Sequence, residues 1–413
     1  MTDGASDSGP AVLTFTAHRS QEVTDPLRES DLDVEIVEVA DDLPLHARSV
    51  ETVRRTRAAF RRGQPDLVLL DCYEVMGLLV TLLSLWYRTP IVARLVGDTW
   101  LRFENAIADA MRARRYHHAA YYRIVLAIDE FVFARASGFI VVSEALGEVV
   151  AERTGCPAER IRTVPVPDPD LRAMADGDNP NDDPGDREDS HDDDSRDVDD
   201  SAAAPDDGTE RRTARDQYGI DAETVLLTVT NLTFRGKLRG VETVLDEITS
   251  LLDRNPDIAY VVAGGGEHAA ELDRRLNERG LDPDVRARIH VLGFVDDVGP
   301  LYDLADVFVY VSFLDGYPRV VLEAQGAALP VVANDAFGMR EQVSDGESGF
   351  LVDPSQPGAV RRAVETLVSD PVLRARFGEH GRERLRRENA PAAVGQRLER
   401  ELRSLADTIV RER

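Results

Sequence analysis

The sequence predicts an α/β protein built from two doubly wound, parallel-sheet domains. Three observations predict it. Short apolar runs alternate with stretches of helical spacing along most of the chain, 413 residues are enough for two full cores, and a strongly acidic segment divides the chain near its middle. Alternation of this kind places helices on both faces of a parallel sheet.

The first ten residues, MTDGASDSGP, are polar and acidic, unlike a signal peptide, and are expected to be disordered. Residues 11–16 form an apolar run fit for a first strand, followed by Ala17-His18-Arg19-Ser20. Residues 34–39 alternate like a strand, 50–62 have helical spacing, 66–71 (DLVLLD) read as a buried strand, 74–86 as its helix and 90–95 as the next strand. Residues 101–136 form one or two long helices in which Arg112, Arg114, Arg115, His117, His118 and Arg123 gather with Tyr116, Tyr121 and Tyr122. This basic-aromatic patch fits a phosphate-bearing, lipid-linked ligand at a membrane surface, because tyrosine favours the interface and arginine pairs with phosphate. Arginines paired with neighbouring acids are the plainer alternative. Residues 138–143 are another strand, and 164–168 close a first domain spanning 11–170.

Between residues 176 and 210 sixteen acids face only Arg187 and Arg196. Such a segment buries too little apolar surface to offset its ordering entropy, so 171–216 is expected to be a disordered insertion. Its DxD-like strings, and Asp168-Pro169-Asp170, imitate a metal-binding pair, but 76 acids produce such strings by chance and no metal site is predicted.

The second domain spans 217–390. Residues 225–230 are its first strand, followed by a basic loop carrying Arg235, Lys237 and Arg239 before a helix at 241–253. Strand 260–263 runs into the turn Gly264-Gly265-Gly266, and 289–295 is the next strand. Residues 307–311 form a buried strand that ends at Leu314-Asp315-Gly316-Tyr317-Pro318. A helix follows with Pro318 in its first turn and Val321, Leu322, Ala324 and Ala328 on one apolar face. Residues 329–333 are the strand after it. Helices at 358–387 and 396–411 complete the chain.

In a parallel sheet, ligands bind at the carboxyl ends of the strands, and a helix N-terminus there suits phosphate. Asp315 lies on such a loop, and Glu323, five residues past Pro318, stands about 7.5 Å along the helix axis. Carboxylates beside an anion site find their natural partners in sugar or ribose hydroxyls.

This stretch, together with LPVVANDAFGMREQVSDGESGFLVDP, resembles the retaining GT-B glycosyltransferases of the family-four (glycosyl transferases group 1) type, whose loop and helix carry two glutamates with seven residues between them. Asp315 and Glu323 keep the gap, with aspartate in the first place. The resemblance covers most of residues 60–390 and implies two Rossmann-like domains facing a cleft, with a last helix in 391–413 crossing back to the first domain. It also implies that Lys237, then Arg235 and Arg239, meet the diphosphate, where fixed cations offset the charge left on the departing phosphate. Gly264 and Gly265 then lie near the nucleotide, and Gly293, Phe294 and Val295 near the base. Glu323 takes the ribose, Asp315 the donor sugar, and the N–H groups of Gly316, Tyr317, Pro318 and Arg319 mark the segment that helps hold the phosphates, proline supplying none. Two features depart from the family: the first strand lacks a glycine-rich loop, and residues 94–100 lack a donor-facing histidine, leaving Arg94 and Asp98.

The implied reaction moves a sugar from a nucleotide-diphosphate donor to a hydroxyl acceptor, with no required metal or cofactor, in surface glycan or lipid-linked oligosaccharide synthesis. An epimerase of the same fold, consuming donor without acceptor, and a non-catalytic nucleotide-sugar-binding protein are the rivals. The formal charge of -27 argues against a nucleic-acid partner. An acid-rich surface whose 49 basic residues include a single lysine, Lys237, is expected of a halophilic protein, working where the Debye length shrinks to about 3 Å. Cys72 and Cys156 are too few for a disulfide framework, and residues 76–86 are too short for a bilayer span. A cytoplasmic protein, with peripheral contact at the inner membrane face through Arg112, Arg114 and Arg115, is expected.

Overall fold

A computed structural model describes residues 10–16, 21–28, 30–39, 42–168 and 215–411. The expectations for residues 1–9, the segment after the first strand, and 169–214 with its DxD-like strings lie outside the described residues.

Two six-stranded sheets, all parallel, organise the chain. The first comprises β1 (Ala11–Thr16), β2 (Asp33–Glu38), β3 (Leu67–Asp71), β4 (Ile91–Leu95), β5 (Gly138–Val141) and β6 (Ile161–Thr163), in the order β2-β1-β3-β4-β5-β6. The second comprises β7 (Thr224–Val229), β8 (Ile258–Ala263), β9 (Ile289–Gly293), β10 (Val307–Tyr310), β11 (Val331–Asn334) and β12 (Gly349–Val352), in the order β12-β11-β10-β7-β8-β9. Each central strand is buried on both faces, which is why they read as continuous apolar runs such as LVLLD and IAYVVA. The order reverses direction between β1 and β3 in one sheet and between β7 and β10 in the other. In parallel sheets ligands bind in the crevice formed at such switch points.

Both faces of each sheet are covered by their own apolar cluster. In the first domain one face packs Leu13, Phe15, Val68 and Leu70 against Met76, Val80, Trp100 and Phe133. The other packs Val12, Leu67, Leu69 and Ile140 against Val394, Leu398, Leu402, Leu405 and Ile409 of the last helix, Pro391–Arg411. The chain's end is thus part of the first domain's core. Asn389 reinforces the junction: its amide donates to the Val166 carbonyl at 2.7 Å and its carbonyl accepts from the Asp168 N–H at 2.8 Å.

The structure adds one element, decides between one helix and two in another stretch, and corrects two expectations. A helix at Gln21–Arg28 fills the gap before β2, despite Pro26 inside it. The long helical stretch is two helices, Thr99–Arg112 and Tyr116–Phe133, and Asp98 caps the first by accepting from the Leu101 N–H at 2.9 Å. Pro318 is not inside its helix but precedes it as the N-cap of Arg319–Gly326. The supposed basic loop is helical, since the helix after β7 begins at Arg235 and runs to Arg254. Gly236 and Gly240 let this helix press on the end of β10. A side chain at 240 would place its Cβ 1.7 Å from the Val311 carbonyl oxygen. Glycine here serves close approach rather than flexibility.

Buried Asp129, on the Tyr116–Phe133 helix, accepts at 2.7 Å from the N–H of Glu74, which opens its own helix with a positive φ of 57°. Burial pushes the Asp129 carboxyl up to about 6, with Glu74 adding to the rise and the N–H bond and Arg102 opposing it. A folded-state value above the ordinary one means that this group's contribution to stability is fully present below about pH 4 and is lost as the pH rises through about 6. Asp129→Asn keeps the acceptor and removes the titration. Relative to the wild type it should gain about 2–3 kcal/mol between pH 4 and pH 7, measured by denaturant unfolding; a pH-independent difference would rule the assignment out.

Candidate active site

Segments that follow the two switch points touch one another: Arg319 reaches Glu22, and Gly316 approaches the Val96 carbonyl. The helix that follows β7 carries Lys237 in its first turn, and the loop that follows β10 carries Asp315. Because β7 and β10 are neighbours, the two side chains meet: the Lys237 ammonium lies 2.5 Å from both Asp315 carboxylate oxygens and 2.5 Å from the Tyr310 hydroxyl. That hydroxyl in turn donates to Asp315 Oδ2 at 2.8 Å. Burial, with the Asp315 carboxylate beside it, holds the Tyr310 phenol well above its ordinary pKa, so it stays a neutral donor. An ammonium seated between paired strand ends can aim at an anion held in the crevice.

Glu323 lies on the next helix, where it accepts from the Tyr302 hydroxyl at 2.7 Å. That bond leaves the second carboxylate oxygen available for hydroxyl groups. The two acids thus sit on either side of one helix start, as their spacing predicts.

The remaining predicted residues divide into two groups. Gly264 and Gly265 follow β8, Gly293 ends β9, and Gly265 backs onto the Phe294 backbone. Phe294, beside the glycine turn, is 78% exposed, and Val295 packs against the core. An uncovered aromatic ring beside a glycine turn can receive a flat apolar surface.

The second group is drawn into contacts that sequence reasoning did not foresee. Arg235 points across the cleft, with its Nε donating to Asp109 at 2.8 Å and one guanidinium nitrogen 3.4 Å from Glu271. Its expected place beside Lys237 on the diphosphate therefore competes with an interdomain ion pair. Arg239 lies over the Phe313 ring, 4.3 Å from its centroid, rather than beside Lys237. Tyr317 packs among first-domain side chains, and the Asn389 amide lies 3.3 Å from its hydroxyl, which burial pushes up to about 12. Arg319 reaches Glu22 of the first domain at 3.4 Å. Gly316 lies so close to the end of β4 that an added Cβ would stand 2.5 Å from the Val96 carbonyl.

Arg94, which stands in the segment without a histidine, is buried. It pairs with Asp71 at 2.8 Å and lies 3.9 Å from Glu22, while the Thr16 hydroxyl donates to Asp71 at 3.2 Å. Glu22, shared by Arg94 and Arg319, links the first sheet's switch point to the helix start after β10. Glu341 makes a further link by accepting from the Ala145 N–H at 3.2 Å. Arg112 is tied to Asp109 at 2.6 Å, whereas Arg114 and Arg115 are exposed beside Tyr116, Tyr121 and Ile124.

Sequence reasoning missed Tyr310, Tyr302 and Glu22. A hydroxyl-bearing residue closing an otherwise apolar strand was the available signal for Tyr310. Among the described residues, no group of three or more histidine, cysteine or acidic side chains gathers at metal-binding distance.

Residues 210–384 match the family model described as Glycosyl transferases group 1, and residues 5–167 match the Glycosyl transferase 4-like domain. The chain is 31% identical over 176 residues to alpha-D-kanosaminyltransferase of Streptomyces kanamyceticus, which covers 42% of this chain and 44% of that protein. It is 30% identical over 193 residues to the GDP-mannose-dependent alpha-(1-6)-phosphatidylinositol monomannoside mannosyltransferase of Mycolicibacterium smegmatis, covering 45% of this chain and 49% of the relative. The matched parts span about half the length of these curated relatives. Among solved structures, Anabaena HepE in complex with UDP and glucose superposes with a TM-score of 0.64 at 16% identity, covering 95% of this chain and 99% of that one. The sucrose-phosphate synthase of Thermosynechococcus elongatus does so with a TM-score of 0.63 at 16% identity, over 96% and 99% of the two chains. The architecture is the two-domain GT-B fold.

Proposed function

The chain belongs to the group 1 glycosyl transferases, whose model matches its second half, while a glycosyl transferase 4-like domain is matched in its first, and on that premise we propose that it moves a sugar from a nucleotide-diphosphate donor to a hydroxyl acceptor with retention at the anomeric carbon. One observation carries the reading. The only lysine of the chain is held at the second sheet's switch point, against an acid from the neighbouring strand end, where a diphosphate would lie. In this reading Lys237 neutralises the charge that develops on the departing phosphate, Glu323 holds the ribose, Asp315 faces the donor sugar, and the Gly316–Arg319 segment borders the phosphates. The Phe294 rim and the Gly264-Gly265 turn receive the nucleoside. Arg235 joins the diphosphate only by releasing Asp109, so its part is coupled to movement of the domains. The leaving phosphate accepts the acceptor's proton, which removes the need for a strong protein base.

The test is donor consumption in high salt across a panel of nucleotide sugars, with and without a pool of hydroxyl acceptors. Rapid consumption only with acceptor is expected. Rapid conversion of donor without acceptor points to the epimerase instead, and tight binding with no turnover points to a non-catalytic binding protein.

The finer reading places the acceptor on the first domain, in surface glycan or lipid-linked oligosaccharide synthesis. Exposed Arg114 and Arg115 stand beside exposed Tyr116, Tyr121 and Ile124, and Trp86 is 82% exposed on the Glu74–Tyr87 helix, the composition of a peripheral membrane contact at the inner face. No helix among the described residues is long and apolar enough to cross a membrane. Co-sedimentation with anionic liposomes should fall at least several-fold when Arg112, Arg114 and Arg115 are replaced by glutamine; undiminished binding would discard the membrane reading.

A further inference from the structure

We infer that Tyr310 is a positioning residue that sets the aim of the single lysine and yields its place to a phosphate oxygen when donor arrives. The inference rests on the diphosphate reading of Lys237. Tyr310 is the last residue of β10, and its ring stacks on Phe308 with centroids 5.9 Å apart and 12° between planes. Packed at 1% exposure, it presents its hydroxyl from a fixed direction. An ammonium has three N–H donors, and all three are matched: Asp315 Oδ1, Asp315 Oδ2 and the Tyr310 hydroxyl, each at 2.5 Å.

A lysine on its four-carbon stem has no preferred direction of its own. Two contacts to one carboxylate leave it free to roll about that carboxylate, and the rigid phenol removes this freedom. Donor phosphate must replace one of the three acceptors. Hydrogen bonds between two charged groups are the stronger ones, so the neutral phenol is the partner to be displaced. Its own bond to Asp315 Oδ2 survives the exchange and keeps the carboxylate in place. The aspartate at this position has one methylene less than a glutamate, and the phenol spans the space beside it.

Because the chain has one lysine, labelling with 15N-lysine yields a single ammonium signal that needs no assignment. In the wild type, that signal should be protected from solvent exchange, show contacts to the Tyr310 ring protons, and shift when UDP is added. In Tyr310→Phe its exchange should accelerate about tenfold or more, and turnover of the donor should fall roughly ten- to thirty-fold, the size of the phenol's bond to the Asp315 carboxylate, which persists when donor is bound. Donor KM should stay within about threefold, because the displaced contact is absent from the bound state, and Tm should hold to within a few degrees. Wild-type exchange and turnover in Tyr310→Phe would overturn the inference, as would a wild-type ammonium signal without contacts to that ring. If neither UDP nor any other nucleoside diphosphate moves the wild-type signal while Tyr310→Phe still accelerates exchange, the diphosphate reading fails and the phenol's hold on the amine stands.

Discussion

Lys237→Ala is expected to lower donor turnover by about two to three orders of magnitude, the usual cost of losing one preorganised group that meets developing charge. The ammonium is mostly buried, with 11% of its side chain exposed, so water cannot readily substitute for it. Lys237→Arg should recover only part of the loss. A guanidinium carries the charge but is wider and planar, and the site is shaped by three acceptors around one nitrogen. Donor affinity should change less than turnover in both variants, because the added charge appears on the phosphate in the transition state. Steady-state kinetics across the saturating range separate the two effects. Near-wild-type turnover for the alanine variant would remove Lys237 from the reaction.

Arg94→Ala should produce the largest loss of stability of any change at the cleft. Arg94 is 3% exposed, and its partners Asp71 and Glu22 are nearly as deeply covered. Burial raises the Asp71 carboxyl above its ordinary value even against the pull of Arg94, so the pair contributes little net stability while intact. Removing one member is different. The remaining buried carboxylate loses its compensating charge, and this costs about 3–5 kcal/mol. Chemical unfolding in molar KCl measures it. The double variant Arg94→Met with Asp71→Asn should recover most of that loss, since it removes both charges together. A double variant as unstable as the single one would mean that the arginine stabilises through packing alone. The same change also unties Glu22 from its shared position between Arg94 and Arg319, so the approach of the two domains should loosen with it.

Most of the fold was legible because its signal is local. Runs such as DLVLLD and YVVA are apolar on both faces, and parallel strands covered by helices on each side produce that pattern. Alternation then places the switch points, and with them the site. Lys237, Asp315 and Glu323 follow from that placement and from the spacing of a familiar motif. What escaped was either locally contradictory or non-local. Gly236 and Gly240 weaken helical propensity, so the first turns of the Arg235–Arg254 helix read as loop; the gain that outweighs propensity is close packing on Val311, which is invisible in the sequence. Pro26 hid the Gln21–Arg28 helix in the same way. Pairings between domains are fixed only by the folded geometry. Glu22 and Arg319 are 297 positions apart, and nothing near either residue announces the other. Arg235 beside Asp109 is another such case, and it redirects a side chain whose sequence position points to phosphate. Tyr310 was read as one more apolar strand residue, because periodicity records where a side chain is buried and not which way its hydroxyl faces.

The most direct measurement is a crystal structure with a nucleoside diphosphate bound. The account predicts a phosphate oxygen within about 3 Å of Lys237 Nζ, as a charge-assisted hydrogen bond requires, with the ribose hydroxyls on Glu323. A nucleotide bound elsewhere, or the amine turned to bulk solvent away from both Asp315 and Glu323, would contradict it.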